Sequence, residues 1–300
     1  MIDNQLNKET NISPLVSIII PAYNFGNYLL RALNSVRDQT YKNLEICLTN
    51  DGSTDQTDAV VKKFIRDNPD IPFSYLVQDN KGASAARNAA AARSRGEYLC
   101  FLDADDALKP QCVRVLVDYN DQYPEAEIIS GGCEFIIYDK TDQFHVRGII
   151  SKETTLYSPR EAYKRLFYQN MLGLISILVR RETFFRINGF NENIPTSEDR
   201  DFFLRATRNN ASILLIPEVL GIVYKYSAGL SRLPSEAFYW GKRNLQNNKE
   251  YLLHNYPDEG RSVYRKAIAL RHLLVFGIYR TSSDPHRFFK MLVHLVGIML

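Results

Sequence analysis

Several features are scarce in this chain, and each scarcity closes off a class of function. Cysteine occurs only as Cys47, Cys100, Cys112 and Cys133, without metal-ligand spacing. Cys47, Cys100 and Cys133 stand in apolar, strand-like runs and read as reduced core residues of a cytosolic protein. Long apolar runs are missing too. No segment reaches the ~18 apolar residues expected of a spanning helix; residues 291–300 come nearest, but they are few and include His294. Residues 1–13 are polar and lack an apolar core, so no signal peptide is expected. A formal charge of +3 makes no case for nucleic acid as a partner. There is no internal repeat and no low-complexity tract.

The rest is ordinary for a soluble globular protein: 300 residues, 45% hydrophobic and 24% charged, enough for one large domain or two. Charge is unevenly spread. Residues 241–300 carry ten Lys/Arg against four acids, which makes that segment +6 and the remainder −3. A basic C-terminal segment beside an acidic body suits an anionic partner such as a membrane surface, with Trp240, Phe288 and Phe289 as aromatics that can insert at an interface. A solvated helical face, its aromatics packed on the body, explains the same residues.

The first half alternates strand and helix signals. Strands are expected at 16–20, 44–49, 73–77 and 98–102, with helical patterns after each of the first three, the last from Ala83 to Arg93. That alternation implies βαβ units and a parallel sheet, whose ligands bind beyond the carboxyl ends of the strands. The second half is mixed, with strands expected at 128–138, 175–179, 213–216 and 220–226 and a helix from Glu198 to Arg208. From Ser235 onward the pattern is helical, broken near Tyr256-Pro257 and Asp284-Pro285.

Chemistry concentrates at the strand ends. The run Phe101-Leu102-Asp103-Ala104-Asp105-Asp106 places three carboxylates within four residues. Acids that close repel one another, and a cation between them relieves the repulsion; oxygen ligands suit Mg²⁺ or Mn²⁺ held together with substrate phosphates. A solvated acidic turn is the plainer explanation. After the second strand, Asp51 can accept hydrogen bonds from a nucleobase N–H or a ribose hydroxyl, while Gly52 permits a tight turn and Asp55 can cap the next helix. In Asn80-Lys81-Gly82-Ala83-Ser84-Ala85-Ala86-Arg87-Asn88, small residues let a ligand approach a helix start, and Lys81 and Arg87 can meet phosphate charge. An alanine-rich helix that simply packs well accounts for the alanines. Downstream, Ser197 can cap the helix bearing Glu198, Asp199 and Asp201, acids that the helix dipole favours in a first turn; Phe202, Phe203 and Ala206 form its buried stripe.

A dinucleotide-binding fold also has an acid after its second strand, but it needs Gly-x-Gly-x-x-Gly after the first. Here that loop is Pro21-Ala22-Tyr23-Asn24-Phe25-Gly26, so NAD is not expected. A nucleotidyltransferase would carry a Gly-rich, Arg-containing loop there, which is also absent.

Together, 17–24, 50–55, 80–88 and 102–106, followed by Asn188-Gly189-Phe190-Asn191-Glu192 and the Glu198-Asp199 pair, resemble the family 2 inverting glycosyltransferases over about residues 15–231. The resemblance implies the GT-A fold: an α/β architecture with a Rossmann-like, mostly parallel central sheet flanked by helices. It implies a nucleotide-sugar donor, most often UDP-linked, and Mn²⁺ or Mg²⁺. Carried over, Pro21 and Tyr23 line the nucleoside pocket, and Asp51 contacts the base. Asp103 lies near ribose or donor sugar, Asp105 binds metal through the diphosphate with Asp106 beside it, and Asp199 is the general base. Ala22, Asn24, Lys81, Gly82, Arg87, Ala104 and Glu198 complete the expected nucleotide-sugar site. Two positions depart from the pattern. Asn50 stands where many relatives have aspartate, and the loop 224–231 lacks a frequent histidine, so it is assigned no role.

The expected organisation is a catalytic domain, 1–232, with a nucleotide-sugar part at about 15–107 and an acceptor part at 108–232, then a C-terminal helical extension, 233–300. The expected activity is sugar transfer to a hydroxyl of a glycan or lipid-linked acceptor, in the cytoplasm or at the inner membrane face. The alternative is a non-catalytic nucleotide-sugar-binding relative.

Overall fold

A computed structural model describes residues 13–138, 143–148, 151–168, 172–226 and 234–281. Phe288, Phe289, the break at Asp284-Pro285 and most of the loop 224–231 lie outside the described residues.

Four strands and three helices alternate first: β1 (Val16–Ala22), α1 (Leu29–Arg37), β2 (Leu44–Asn50), α2 (Thr57–Asp67), β3 (Phe73–Val77), α3 (Ala83–Ala92) and β4 (Tyr98–Phe101). β5 (Ala107–Leu108), α4 (Cys112–Gln122), β6 (Ile128–Tyr138), β7 (Gln143–Gly148), β8 (Thr155–Tyr157), α5 (Pro159–Tyr168), β9 (Ile177–Arg180) and α6 (Arg181–Arg186) follow. Then come α7 (Glu198–Arg208), β10 (Ile213–Tyr226), α8 (Pro234–Asn247), α9 (Lys249–Asn255) and α10 (Gly260–Thr281). The sheet runs β3-β2-β1-β4-β9-β6-β10-β5, with β7 on β6 and β8 on β10. β1, β2, β3 and β4 are mutually parallel, and β9 enters antiparallel between β4 and β6.

Period-two alternation sorts the strand residues into two cores. Ile18, Ile20, Cys100 and Leu102 face α1, α2 and α4. Ile19, Cys47, Leu99 and Phe101 face the other way, towards α3, α5 and α7. A sheet covered on both faces explains why every residue of β1 is buried and neither face of the strand is exposed to solvent. Phe202, Phe203 and Ala206 are fully buried, as the stripe on α7 requires. The C-terminal helices share the second core: Leu245, Leu252, Tyr256, Val263 and Ala267 pack there with Tyr163 and Phe167 of α5. Trp240 of α8 is half-buried, meeting Tyr239 edge-on at 5.4 Å, with the Arg243 guanidinium 5.5 Å from its ring.

Two expected strands, 213–216 and 220–226, are one strand, β10. Its register against β6 shifts between Leu215 and Val219 and again before Gly221. Pro217 sits in the first shift, where a residue without an N–H costs no ladder bond. All four cysteines are free thiols; Cys47, Cys100 and Cys112 are buried and Cys133 is half-buried. Among the described residues no helix is long and apolar enough to cross a membrane.

At the edge of the sheet where β1 and β2 begin, buried Glu45 accepts the Ser17 hydroxyl at 2.7 Å, the Arg95 N–H at 2.6 Å and Arg95 Nε at 3.0 Å. Burial opposes its charge, yet these donors outweigh burial and hold its carboxyl below the ordinary range. A depressed carboxylate contributes stability above its unfolded pKa and loses it as pH falls through the folded value. Glu45→Gln is therefore expected to cost roughly 1–3 kcal/mol at pH 7, discounted because Arg95 is largely exposed. Thermal melts should show the gap to the unsubstituted protein closing below about pH 4; a gap independent of pH would refute this account.

Candidate active site

β1 has β2 on one side and β4 on the other, so the winding reverses between β1 and β4. A crevice opens beyond the carboxyl ends of strands at such a switch point. The loops after β1, β2, β3 and β4 converge there. Pro21 and Ala22 are buried at the end of β1, while Tyr23 is 43% exposed at the rim. Asn24 is left-handed (φ 57°); its N–H donates to Ser53 Oγ at 2.9 Å and its Oδ1 accepts the Thr54 N–H at 2.8 Å. Asp55 was expected to cap α2; the cap position is Gln56, and Asp55, one residue outside it, accepts the Thr57 N–H at 2.9 Å and the Gly26 N–H at 2.9 Å. Asn50 accepts the Ser53 N–H at 2.9 Å and donates to the Tyr75 hydroxyl at 3.1 Å, which gives the asparagine a structural task.

Asp51 is buried and accepts three N–H groups: Gln78 Nε2 at 2.7 Å, Lys81 N at 2.9 Å and Gly82 N at 2.8 Å. It thereby ties the β2 loop to the start of α3. A carboxylate has about four lone-pair sites, so one more donor fits. Gly82 (φ 91°) has open space where a side chain would stand, and with Lys81 it is exposed at the mouth.

Arg87 joins the two halves of the site. Asp103 extends the alternation of β4 onto the face of α3 and α7, where Arg87 Nη2 meets its Oδ1 at 2.7 Å. The same guanidinium donates to Glu198 Oε1 at 2.9 Å and lies 5.5 Å from the Phe190 ring. Arg87 is buried; burial works against its charge, but Asp103 and Glu198 outweigh burial and raise its pKa. The guanidinium is thus committed to two acids, a different task from the phosphate contact read from the sequence. Its neighbour Asn88 clasps Phe190, donating to its carbonyl and accepting its N–H, both at 2.9 Å. Gly189 (φ 62°) is required in that turn, because a Cβ would stand 2.5 Å from Asn88 Oδ1. The motif 188–192 therefore shapes the platform under Arg87.

Glu198 and Asp199 open α7. Asp199 is half-buried and its Oδ1 accepts the Arg200 N–H at 2.7 Å. Ser197 was expected to cap this helix, but its side chain makes no capping bond. Its backbone is left-handed (φ 63°), whereas an N-cap side chain reaches the first turn from an extended backbone. A non-glycine residue held there costs about 1–3 kcal/mol and persists only where its surroundings enforce it.

In the acidic loop, Ala104 is buried, Asp105 half-buried and Asp106 buried. Burial, then the charge of Asp103, raises the Asp105 pKa; burial and both neighbouring acids raise that of Asp106 well above the carboxylate range. Desolvated carboxylates repelling one another through hard oxygen donors are what a divalent cation relieves, so Asp105 and Asp106 fit Mg²⁺ or Mn²⁺. Among the described residues no three metal-ligating side chains already converge; Mg²⁺ is commonly held by one or two carboxylates plus substrate phosphate.

Two residues of this loop's frame escaped sequence reasoning. The Tyr224 N–H donates to Asp106 Oδ1 at 3.0 Å, and the Tyr224 ring stacks on Tyr138. The Arg31 guanidinium lies 3.5 Å from the centre of the Tyr224 ring and donates to the Asp105 carbonyl. Arg31 points from the polar side of an ordinary amphipathic helix, and Tyr224 contributes a backbone group, so no local pattern marked either.

The sequence profile described as Glycosyl transferase family 2 matches residues 17–184. The hyaluronan synthase of Pasteurella multocida is 31% identical over 195 residues, which are 65% of this chain and 19% of that protein. The structure of S. aureus TarS 1-349 in complex with UDP-GlcNAc is similar with a TM-score of 0.61 at 22% identity, over 79% of this chain and 66% of that one. The mannosyltransferase PcManGT from Pyrobaculum calidifontis, in complex with GDP-Man and Mn²⁺, gives a TM-score of 0.58 at 16% identity, over 96% and 86%. The sheet and its flanking helices are those of the GT-A fold.

Proposed function

Because the chain belongs to glycosyl transferase family 2, we propose that it is an inverting enzyme moving a sugar from a UDP-linked donor to a hydroxyl of a glycan or lipid-linked acceptor. The observation that carries this reading is Arg87, which ties Asp103 of the donor loop to Glu198, next to Asp199. Pro21, Ala22, Tyr23, Asn24 and Asp51 form the nucleoside side of the crevice, with Lys81, Gly82 and Ala104 around the diphosphate and sugar. Asp199 takes the proton of the acceptor hydroxyl as that oxygen attacks the anomeric carbon from the side opposite the diphosphate; the carbon–diphosphate bond breaks in the same step, and the configuration inverts. Asp105 and Asp106 hold a divalent cation, which when bound supplies positive charge to the departing diphosphate, a contribution of several kcal/mol in such sites.

We assign residues 1–232 to the catalytic domain and 233–300 to a helical extension, supported by the consecutive helices α8–α10 after β10; α10 rests on α5 and α8 on α7. The basic balance of 241–300 supports action at the inner face of a membrane, where a lipid-linked acceptor is met.

Thermal melts against UDP-, GDP- and dTDP-sugars, each with Mn²⁺ and with EDTA, test the reading. At a hundredfold excess over Kd, a ligand stabilises by about 2.7 kcal/mol, a shift of roughly 5 °C or more for a chain of this size. A shift with UDP-sugars that EDTA removes is expected, and Asp105→Ala should abolish its Mn²⁺-dependent part. No shift with any donor would refute the reading, a shift without UDP release would favour the non-catalytic nucleotide-sugar-binding relative, and an unchanged Mn²⁺ dependence in Asp105→Ala would move the ligand role elsewhere.

A further inference from the structure

The start of α7 is held from outside the span of the family profile. Asn244 of α8 is buried, and its Nδ2 donates to the Ser197 carbonyl at 2.9 Å. That carbonyl also accepts the Asp201 N–H, the first-turn bond of α7, at 3.3 Å. Just past the end of α8, at the cap of α9, Asn248 donates back to the Asn244 carbonyl at 2.8 Å and accepts Arg208 Nη1, from the far end of α7, at 3.3 Å. The last turn of α8 therefore meets the start of α7, and Asn244 sits at the end where Glu198 and Asp199 emerge. Ser197, the residue it grips, is the left-handed one (φ 63°). A peptide unit in that conformation has few local reasons to stay there, and a buried side-chain amide fixing its carbonyl supplies one.

We propose that Asn244 is a positioning residue: by pinning the Ser197 carbonyl it fixes the first turn of α7 and with it the direction of Asp199 towards the acceptor hydroxyl. The inference rests on the reading of Asp199 as general base, and it makes the C-terminal extension part of the catalytic machinery. Glu198, one residue on, is already anchored through Arg87. Asn244 therefore acts on the acceptor side while the donor side keeps its own support.

The test uses the full chain and three variants, N244L, S197G and S197G/N244L. Leucine keeps the branched heavy-atom skeleton and removes the donor; glycine adopts positive φ without strain and so replaces the need for the grip. UDP release from UDP-N-acetylglucosamine with a mixed oligosaccharide acceptor gives kcat, and titration with UDP gives donor affinity. Misplacement by about 1 Å can cost about a hundredfold, so N244L is expected to lose ~10- to 100-fold in kcat with UDP affinity within about twofold. S197G/N244L should regain most of that loss, which a mere packing role would not produce. Amide hydrogen exchange reads the same contact without turnover: N244L should lose protection in the first turn of α7, at Asp201 above all, with the sheet unchanged. Unchanged kcat in N244L, or unchanged protection at Asp201, would overturn the proposal. So would a loss of kcat, UDP affinity and melting temperature together that S197G does not repair. If the unsubstituted protein neither binds UDP nor turns over, the general-base reading falls and this inference with it, a result distinct from an active enzyme indifferent to Asn244.

Discussion

Asp199→Asn is expected to lower kcat by about 10²- to 10⁴-fold, the usual worth of a positioned general base, with UDP affinity nearly unchanged. Asparagine keeps the shape and still accepts the Arg200 N–H that now reaches Asp199 Oδ1 at 2.7 Å, so α7 should start as before. What it loses is the ability to take a proton. The neighbouring acids are poor substitutes. Glu198 is bonded to Arg87 at 2.9 Å and Asp201 to Arg205 at 2.7 Å, so each is already committed to a guanidinium partner. Asp199 and Asp201 also lie two apart, on different sides of the helix. Steady-state UDP release and a UDP titration check the split between kcat and binding. Full turnover in Asp199→Asn would end the assignment.

Arg87→Met is expected to damage stability and both halves of the site. Removing one partner from a buried ion pair costs about 3–5 kcal/mol, because the remaining charge is stranded. Here two carboxylates lose one cation, although Asp103 is 42% exposed and solvent softens its share. A melting temperature lower by roughly 10 °C follows from the lower part of that range. Asp103 would no longer be held towards the donor, nor Glu198 towards the start of α7, so UDP affinity and turnover should fall together. Arg87→Lys should recover only part of this, since one ammonium cannot reproduce a rigid fork spanning two acids. Thermal melts and UDP titrations of both variants decide it; a methionine variant with unchanged melting and affinity would show that the bridge carries nothing.

The first half of the fold was legible because its physics is local. β3 matches 73–77, α3 begins at Ala83, and strands buried on both faces read as plain apolar runs. α7 matches Glu198–Arg208 at both ends because its apolar stripe is unbroken. The break before Pro257 is also present, between α9 and α10. Legibility failed where tertiary pairing decides. β5 has two residues and exists because β10 offers it a partner. Pro217 splits the pattern of β10 without splitting the strand. Ser197 shows the same limit at the site, since its type suits a cap while its backbone geometry excludes one. Motif residues were visible as types at strand ends. Their mutual arrangement, with Arg87 facing two acids 16 and 111 positions away, was not.

The chain contains a single tryptophan, Trp240, and it stands one helical turn before Asn244 on the same helix. Its indole, half-buried against Tyr239 and beside the Arg243 guanidinium, emits according to the water and charge around it. Light at the red edge of the protein's absorption excites that one group and none of the 18 tyrosines. The molecule therefore carries its own unlabelled optical probe of the α8 end. In a stopped-flow titration, events at the start of α7 would have a signal separate from those read out on the nucleotide, and the order in which donor and acceptor arrive could be timed in solution.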